Sequence, residues 1–500
     1  HNLLHHILNA GLFGLLSYHF LKNRSAALFV AFLFLVHPIH TEAVIWATGR
    51  KDLLSTTFFL LSLHLYLRFL RKPSSRTYAG SLLTFFLGLL SKITVVSLPL
   101  LLFLIDWLEG RKLTRQSVIE KLPYIALSLV FGIVALFGKS GAPDLSLLTH
   151  SLVAAKSFTF SLSKIFFPTG LSPMYAYTGT ISLQSGDFLL SLLIVFALVA
   201  VAVMMRKRWK LFAFSVAFTM ITFLPSFANL IKNGDYYLTA DRYAYIPSMG
   251  VFLLAGFLLL QAENRVPAFV RRGMLPLAIL FLLFLSFLSS IQSSVWKDSE
   301  TLSRYVTQVS PNARLGHLWY GNALREAGKS DEALAEYDLA LSFKDDPKVF
   351  YNRALAREEQ GQPDAAVADY QKALTLSPDY ALAHINLGRL LYGQGKKDEA
   401  RTHFVAATVA APLLAMPFFN LGVLEGEARH FDLAADFYRQ ALDRDPDLHD
   451  ARANLAIALL ALGKNQEAVD QLKETLKRDP ENLTALATLE KLLRAGVVTK

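Results

Sequence analysis

There is no cysteine anywhere in the 500 residues. That excludes disulfides, thiolate zinc sites and a cysteine nucleophile, and it leaves the redox compartment open. No Walker loop, Rossmann glycine pattern, nucleophile elbow or zinc-ligand spacing occurs either, so the commonest nucleotide, hydrolase and metalloprotease chemistries find no motif here. Charge is scarce: Asp, Glu, Lys and Arg make up 18% of the chain against 53% apolar residues. That balance is too apolar for a soluble protein and fits a membrane class. The charge is also unevenly divided. Through Val295 there are 25 Lys/Arg and 10 Asp/Glu, a net of +15; from Trp296 on there are 25 and 30, a net of −5; the two sum to the +10 of the whole chain. Lipid head groups and the positive-inside rule account for a basic excess confined to the apolar half, and no nucleic-acid partner is expected. An initiator Met is lacking too. The chain opens on His1 and runs at once into apolar sequence, so it reads as a fragment whose true start lies upstream.

What is present is a series of lipid-length apolar segments, since a span needs about 20 apolar residues. They are Leu3–Leu21, Ala26–Ala47, Leu53–Leu70, Thr77–Leu90, Thr94–Trp107, Leu122–Phe137, Phe188–Met205, Leu211–Ile231, Tyr243–Gln261 and Met274–Ile291. Thr77 to Trp107 is long for one crossing and short for two, and reads as a tight hairpin of short helices with Ser91-Lys92 at its tip. Leu152–Phe167, interrupted by Lys156, Ser157, Ser161, Ser163 and Lys164, reads as an amphipathic helix on the outer surface. Alternate turns hold 17 and 8 Lys/Arg, the poorer set including Lys139 and Lys232. The richer set is expected to be cytoplasmic, which puts His1, the His37–Asp52 turn, the Lys232–Arg242 turn and everything after Val295 on the external side.

The second half repeats. Ala333, Ala366, Ala400, Ala434 and Ala468 recur at steps of 33 or 34 residues. Four residues after each stands Tyr337, Tyr370, Phe404, Tyr438 or Leu472, and twelve before each stands Gly321, Ala354, Gly388, Gly422 or Ala456. Small residues let paired helices approach and the aromatic fills the gap between them, which is the tetratricopeptide (TPR) pattern; the five copies here exceed the roughly three a stable stack needs. Pro311 lies where a unit would close, so Trp296–Ser310 reads as half a repeat, holding the solenoid in a nearly fixed pose close to the membrane. The expected organisation is all-α: a membrane domain over residues 1–295 with about ten spans, a half-repeat connector over 296–316, and a TPR solenoid with capping helix over 317–500.

The densest polar cluster is His37-Pro38-Ile39-His40-Thr41-Glu42, followed by Gly49-Arg50-Lys51-Asp52. Ionised groups at membrane depth belong at water-filled cavities or interfaces. The cluster is therefore a candidate site, set against an ordinary proline-broken turn that meets solvent. The spacing of His37, His40 and Glu42 suits no helical or strand face, which speaks against a metal. Lys92 is open between simple snorkelling and a cation for a phosphate. The run Lys232-Asn233-Gly234-Asp235 with Thr239-Ala240-Asp241-Arg242-Tyr243 adds two cations, two acids and an aromatic ring, which suit an anionic lipid head group and a sugar face.

These residues carry a resemblance. HPIHTEAVIWATGRKDLL (His37–Leu54), FPTGLSPMY (Phe167–Tyr175), FLPSFANL (Phe223–Leu230), ADRYAYIPSMG (Ala240–Gly250) and WKDSETL (Trp296–Leu302), followed by TPR units, resemble in order the transmembrane and TPR repeat-containing O-mannosyltransferases and their bacterial relatives. The likeness implies a GT-C-type helix bundle followed by the TPR α-solenoid. It implies transfer of a sugar, mannose, from a polyprenyl phosphate (dolichyl phosphate in eukaryotes) to a Ser or Thr of an acceptor protein at the external face, the acceptor being recruited by the TPR groove. It implies His37, His40, Glu42 and Asp52 in supporting catalytic roles. Arg50, Lys92, Asp241, Arg242 and Tyr245 are implied on the donor-phosphate and substrate side, with Asp241 pairing with Arg242 or the acceptor. The main catalytic Asp of such enzymes sits in a first external loop, which would precede His1. Ile93 departs from eukaryotic relatives, which often place Glu after the lysine. No cofactor or metal is required, since cationic side chains can stabilise the leaving phosphate; the lipid-linked sugar is a substrate. The expected place is a bacterial inner membrane with the repeats in the periplasm, or the endoplasmic reticulum with lumenal repeats. The alternative from a different class is a non-enzymatic, membrane-anchored TPR scaffold for envelope assembly. A transporter is disfavoured, as no internal hydropathy repeat stands out.

Overall fold

The structure is a computed structural model and describes residues 1–137, 146–232 and 235–494. It divides into two units, His1–Gly316 and His317–Lys500. The first contains α1 (Asn2–Leu21), α2 (Arg24–Val36), α3 (Thr41–Ile45), α4 (Arg50–Arg71), α5 (Ser75–Ser91), α6 (Leu98–Leu108), α7 (Arg115–Ile119), α8 (Leu122–Phe137), α9 (Leu147–Phe166), α10 (Gly186–Met205), α11 (Lys210–Phe223), α12 (Ser248–Glu263), α13 (Ala268–Ser294) and α14 (Ser299–Val309). Each apolar segment read from the sequence overlaps one of these helices, but Ala26–Ala47 is broken between α2 and α3, and Leu211–Ile231 runs beyond α11 through a 3₁₀ stretch to the strand residue Ile231. Among the described residues, five helices are long and apolar enough to cross a membrane: Ala47–Arg71, Arg115–Ala135, Gly186–Met205, Lys210–Ala228 and Ala268–Ser294. The bent pair Arg24–Val36 and Pro38–Ile45, at 49°, makes a sixth if taken as one span, and Ile93–Leu108 and Ser248–Glu263 are shorter apolar helices.

Local chemistry sets the breaks. Pro38 has no N–H to continue α2, and the chain turns through a short 3₁₀ stretch, Pro38–His40, into α3. Asn23 caps α2 by accepting from the Ala26 N–H at 2.9 Å, a usual N-cap bond. The chain reverses after α5 at Lys92, which is extended (φ −162°, ψ 135°), and resumes as the 3₁₀ stretch Ile93–Ser97 before α6. Between α4 and α5, the Ser62 hydroxyl donates to the Ser81 carbonyl at 2.8 Å and the Ser81 hydroxyl returns the bond at 2.9 Å. Small hydroxyl residues of this kind let membrane helices come close while satisfying their own polar atoms. The same closeness holds α11 against α12, where a Cβ on Gly250 would stand 2.2 Å from Thr219 Oγ1 and 2.7 Å from the Ser215 carbonyl.

Helix α9 buries Leu152, Val153, Phe158 and Ile165, and turns Ser157 and Ser161 inward as well. Ser157 bonds the Leu238 carbonyl and Ser161 bonds Thr239 Oγ1 at 3.1 Å. It thus backs the segment before α12. That segment also joins a three-stranded antiparallel sheet, β1 (Ala176–Tyr177), β2 (Ile231–Lys232) and β3 (Asp235–Tyr237), in the order β1-β3-β2. The register pairs Ala176 with Tyr237 and Ile231 with Tyr236. The first unit ends with α14, capped by Asp298 accepting from the Thr301 N–H at 2.7 Å, and with Arg314, whose guanidinium bonds Asp235 at 2.7 and 3.1 Å. The stretch read as a connector therefore falls inside this unit.

The second unit is built of antiparallel helix pairs in series, from α15 (Arg314–Glu326), which begins just before it, to α25 (Leu483–Arg494). Ala333, Ala366, Ala400, Ala434 and Ala468 are fully buried, and Tyr337, Tyr370, Phe404, Tyr438 and Leu472 are buried beside them. A Cβ on Gly388 would lie 2.6 Å from the Phe404 ring, and one on Gly422 2.6 Å from Tyr438, so the aromatic does occupy the gap. The turn inside each pair is left-handed: Gly328, Gly361, Gly395 and Gly463 have φ between 71° and 79°, and Arg429 takes the same place at φ 62°. A side chain pays about 1–2 kcal/mol for that conformation. Arg429→Gly is accordingly expected to stabilise the protein by about 0.5–1 kcal/mol after the added freedom of the unfolded chain is allowed for, read as a raised thermal midpoint.

Candidate functional site

The break between α2 and α3 sets three histidines into a frame. His37 Nε2 donates to the Ile165 carbonyl at 3.0 Å while its Nδ1 accepts from the Ile39 N–H at 3.2 Å. His40 Nδ1 bonds the Phe34 carbonyl at 2.7 Å and Nε2 meets the Ser248 hydroxyl at 2.9 Å. A carbonyl only accepts, so each of these contacts fixes the tautomer. His6 Nε2 likewise bonds the Leu35 carbonyl at 3.0 Å, and its Nδ1 takes the Tyr245 hydroxyl at 2.7 Å. Asn9 Nδ2 donates to the Leu53 carbonyl at 2.9 Å and to the Tyr245 hydroxyl at 3.3 Å. The rings pack on Phe34, Tyr245 and Phe252. His37 and His40 are thus placed as struts beneath the site, with both nitrogens of each ring engaged.

Above this frame the carboxylates of α3 and α4 meet cations from far along the chain. Glu42, 2% exposed, accepts from the Arg242 backbone N–H at 2.8 Å and forms an ion pair with its guanidinium. The guanidinium also donates to the Pro173 carbonyl at 3.3 Å and lies over the rings of Trp46 and Tyr243, at 5.1 and 4.8 Å from their centroids. Asp52, 5% exposed, forms an ion pair through Oδ1 with Lys92, whose Nζ stands 5.7 Å from the same Tyr243 ring. Two cations therefore flank one tyrosine. Asp52 Oδ2 is buried and has no hydrogen-bond partner among the described residues. Asp52, Arg242, Tyr243 and Tyr245 line one cleft together with Thr56, Thr94, Thr222 and Ser226. Its open space is about 20 Å³, room for about one water.

Asp241 turns away from this cleft. It does not pair with Arg242; its carboxylate accepts from the Tyr175 hydroxyl at 2.7 Å. Lys164 lies over the Tyr175 ring at 5.2 Å and donates to the carbonyls of Thr169 and Gly170 at 2.7 and 3.2 Å. Burial first, and the Glu42 charge second, push the Asp241 carboxyl well above the usual carboxylate range; burial and then Asp241 push the Tyr175 hydroxyl up. An acid whose folded-state pKa is raised stabilises the fold below its ordinary value and loses that contribution as pH rises through the folded value. Asp241→Asn keeps an acceptor for Tyr175 without the charge. Its thermal midpoint is expected to match that of the parent in acid and to exceed it increasingly as pH rises above the ordinary carboxylate range, measured by unfolding scans in detergent.

Arg50 is exposed at the start of α4, 3.5 Å from Asn2 Oδ1, and stays outside the cleft. Tyr245 lends the cleft its ring while its hydroxyl belongs to the frame. Tyr243 enters from the sequence only as an aromatic ring beside Arg242, and Trp46 and Tyr175 only as parts of motifs. Lys139, Asn233 and Gly234 lie outside the described residues, as does the side chain of Lys232. Among the described residues no three His, Asp or Glu gather where they could hold a metal ion.

Family models described as TPR repeat and tetratricopeptide repeat match residues 358–395 and 427–493. Relatives among characterised proteins carry the name protein O-mannosyl-transferase. Human (Homo sapiens) TMTC1 is 26% identical over 64% of this chain and 42% of its own length. Mouse (Mus musculus) TMTC3 is 23% identical over 96% of this chain and 55% of its own, and mouse TMTC2 29% identical over 56% and 35%. The chain spans about half the length of the relatives it matches. Among solved structures, MamA aligns at 21% identity over 32% of this chain and 95% of its own, with a TM-score of 0.31. YrrB, a TPR protein with an unusual peptide-binding site, aligns at 17% over 38% and 97%, with a TM-score of 0.33. The resemblance read from the motifs thus recurs in these relatives, each named protein O-mannosyl-transferase.

Proposed function

We propose that this relative of the protein O-mannosyl-transferases is a membrane-embedded glycosyltransferase. It moves a sugar, mannose, from a polyprenyl-phosphate donor to a Ser or Thr hydroxyl of an acceptor protein on the external membrane face, and its TPR array recruits the acceptor. The observation that carries this reading is the pair of cations, Arg242 and Lys92, beside Tyr243, with Arg242, Tyr243 and Lys92's partner Asp52 lining one cleft. In the reaction the bond from the sugar's anomeric carbon to the phosphate oxygen breaks. A bond to the acceptor oxygen forms, the acceptor proton goes to a base, and the polyprenyl phosphate leaves as an anion. Fixed positive charge beside the departing phosphate lowers that barrier, and here two side chains would supply it.

Asp52 holds Lys92 through one oxygen and has the other free to take a hydroxyl hydrogen. Glu42 aims Arg242 through both its side chain and its backbone. The faces of Trp46 and Tyr243 suit the C–H surface of a sugar. His37 and His40 serve this chemistry as supports, by holding the α2–α3 bend. The reading places the cleft and the repeats in the periplasm of a bacterial cell, or in the lumen of the endoplasmic reticulum in a eukaryote. The test is donor-dependent transfer: full-length protein, radiolabelled mannosyl-phosphoryl polyprenol and a Ser/Thr-rich peptide. Label in the peptide supports the proposal. No transfer, with peptide binding intact, would leave a membrane-anchored scaffold.

A further inference from the structure

A second cavity lies in the first unit, where α6, α10 and α11 come together. It shares no lining residue with the cleft. Leu104 and Trp107 form one wall, Val199 and Val203 another, Ala217 and Met220 a third, and the open space is about 250 Å³. The walls are almost wholly apolar. The one charged side chain on them is Arg206, at the C-terminal end of α10.

Arg206 opens the run Arg206-Lys207-Arg208-Trp209-Lys210, which joins two helices long and apolar enough to cross a membrane, Gly186–Met205 and Lys210–Ala228. The crevice thus starts at the end of two spans, where head groups meet hydrocarbon, and runs inward between them. Arg206, Lys207, Arg208 and Lys210 are exposed, and among the described residues none of the four is in an ion pair. Two acids on and just after α6 are already engaged: Asp106 with Tyr66 and Lys121, Glu109 with His19. An apolar slot at hydrocarbon depth below unpaired cations at head-group depth has the charge and the polarity of one class of ligand.

We infer that this crevice is a binding site for an anionic phospholipid, one acyl chain lying between α6, α10 and α11 and the phosphate resting on Arg206 and Lys210. A zwitterionic lipid fills the slot equally well but gains less from the cations, each of which favours an anionic head group near the surface. The site is separate from the donor cleft, so its failure would leave the transferase reading untouched, and the reverse.

The experiment is native mass spectrometry of the detergent-purified full chain, titrated with phosphatidylglycerol and with phosphatidylcholine of the same acyl composition. Phosphatidylglycerol is expected to be held about tenfold more tightly, and Arg206→Gln with Lys210→Gln to erase the difference, since each basic residue near the surface contributes a few-fold. Both positions are exposed, so that variant folds. Ala217→Trp, which fills the slot, is expected to weaken both lipids alike. Equal retention of the two lipids by the parent protein would overturn the inference. So would a phosphatidylglycerol preference that survives the double substitution, or a dimer mass in place of lipid adducts.

Discussion

Arg242→Ala is expected to abolish detectable sugar transfer and to cost the protein a large share of its stability. The substitution leaves Glu42, whose side chain is 1% exposed, with no counter-charge. Removing one partner of a buried ion pair costs about 3–5 kcal/mol, because the other charge stays behind unpaired. Loss of a cation beside a departing phosphate lowers the rate by about 10²–10³-fold. The two effects separate in a double variant. Glu42→Leu with Arg242→Met replaces the pair by apolar groups of similar size, and such exchanges are often neutral or stabilising. The double variant is expected to regain the thermal midpoint and still to transfer nothing. Recovery of both stability and transfer would assign Arg242 to the fold alone.

The second large effect is expected at Asp52. Asp52→Asn keeps one oxygen toward Lys92 and replaces the unpartnered one with an amide that cannot accept a proton. If that oxygen takes the acceptor hydroxyl's hydrogen, kcat falls by about 10²–10⁴-fold, the usual contribution of a positioned base. KM for the lipid donor should stay within a few-fold, because both cations remain. Steady-state kinetics with separately varied donor and peptide distinguishes this from a donor-binding role, in which KM for the donor would rise and kcat would hold.

The two halves of the chain were legible to different depths. Ala400, Phe404 and Gly388 announce a packed helix pair because their contacts are local and recur at fixed spacing, and Phe404 fills the space beside Gly388. The helices of the first unit follow from apolar length, and the break at Pro38 from a missing N–H. The site itself was legible only as a list of residue types. Glu42 and Arg242 are 200 residues apart, and Asp52 and Lys92 are 40 apart. No periodicity links partners at such separations. Asp241 and Arg242 are adjacent in sequence yet face opposite ways, so a pairing between them, reasonable on paper, gives way to Glu42 and Tyr175.

The histidines illustrate the same limit. His37 and His40 look like chemistry because ionisable groups are rare in apolar sequence, but each ring is fully occupied by bonds to backbone or to Ser248. Nothing in the residue type separates a strut from a ligand; only the partner atoms do. Tyr243 was legible as an aromatic ring beside Arg242 but not as a ring that Lys92 also approaches, because that second cation comes from a different turn, which a neighbour-by-neighbour reading has no means to see. The short sheet of β1, β2 and β3 escaped notice because strands of two or three residues carry no alternation to detect.

The most direct test of the central claim is equilibrium binding of mannosyl-phosphoryl polyprenol to the detergent-purified full-length protein, compared with its Lys92→Gln/Arg242→Gln variant. If the cleft holds the donor phosphate, the parent binds and the variant loses about a hundredfold or more in affinity, roughly 1.4 kcal/mol per tenfold step. Equal binding by the two proteins would contradict the account.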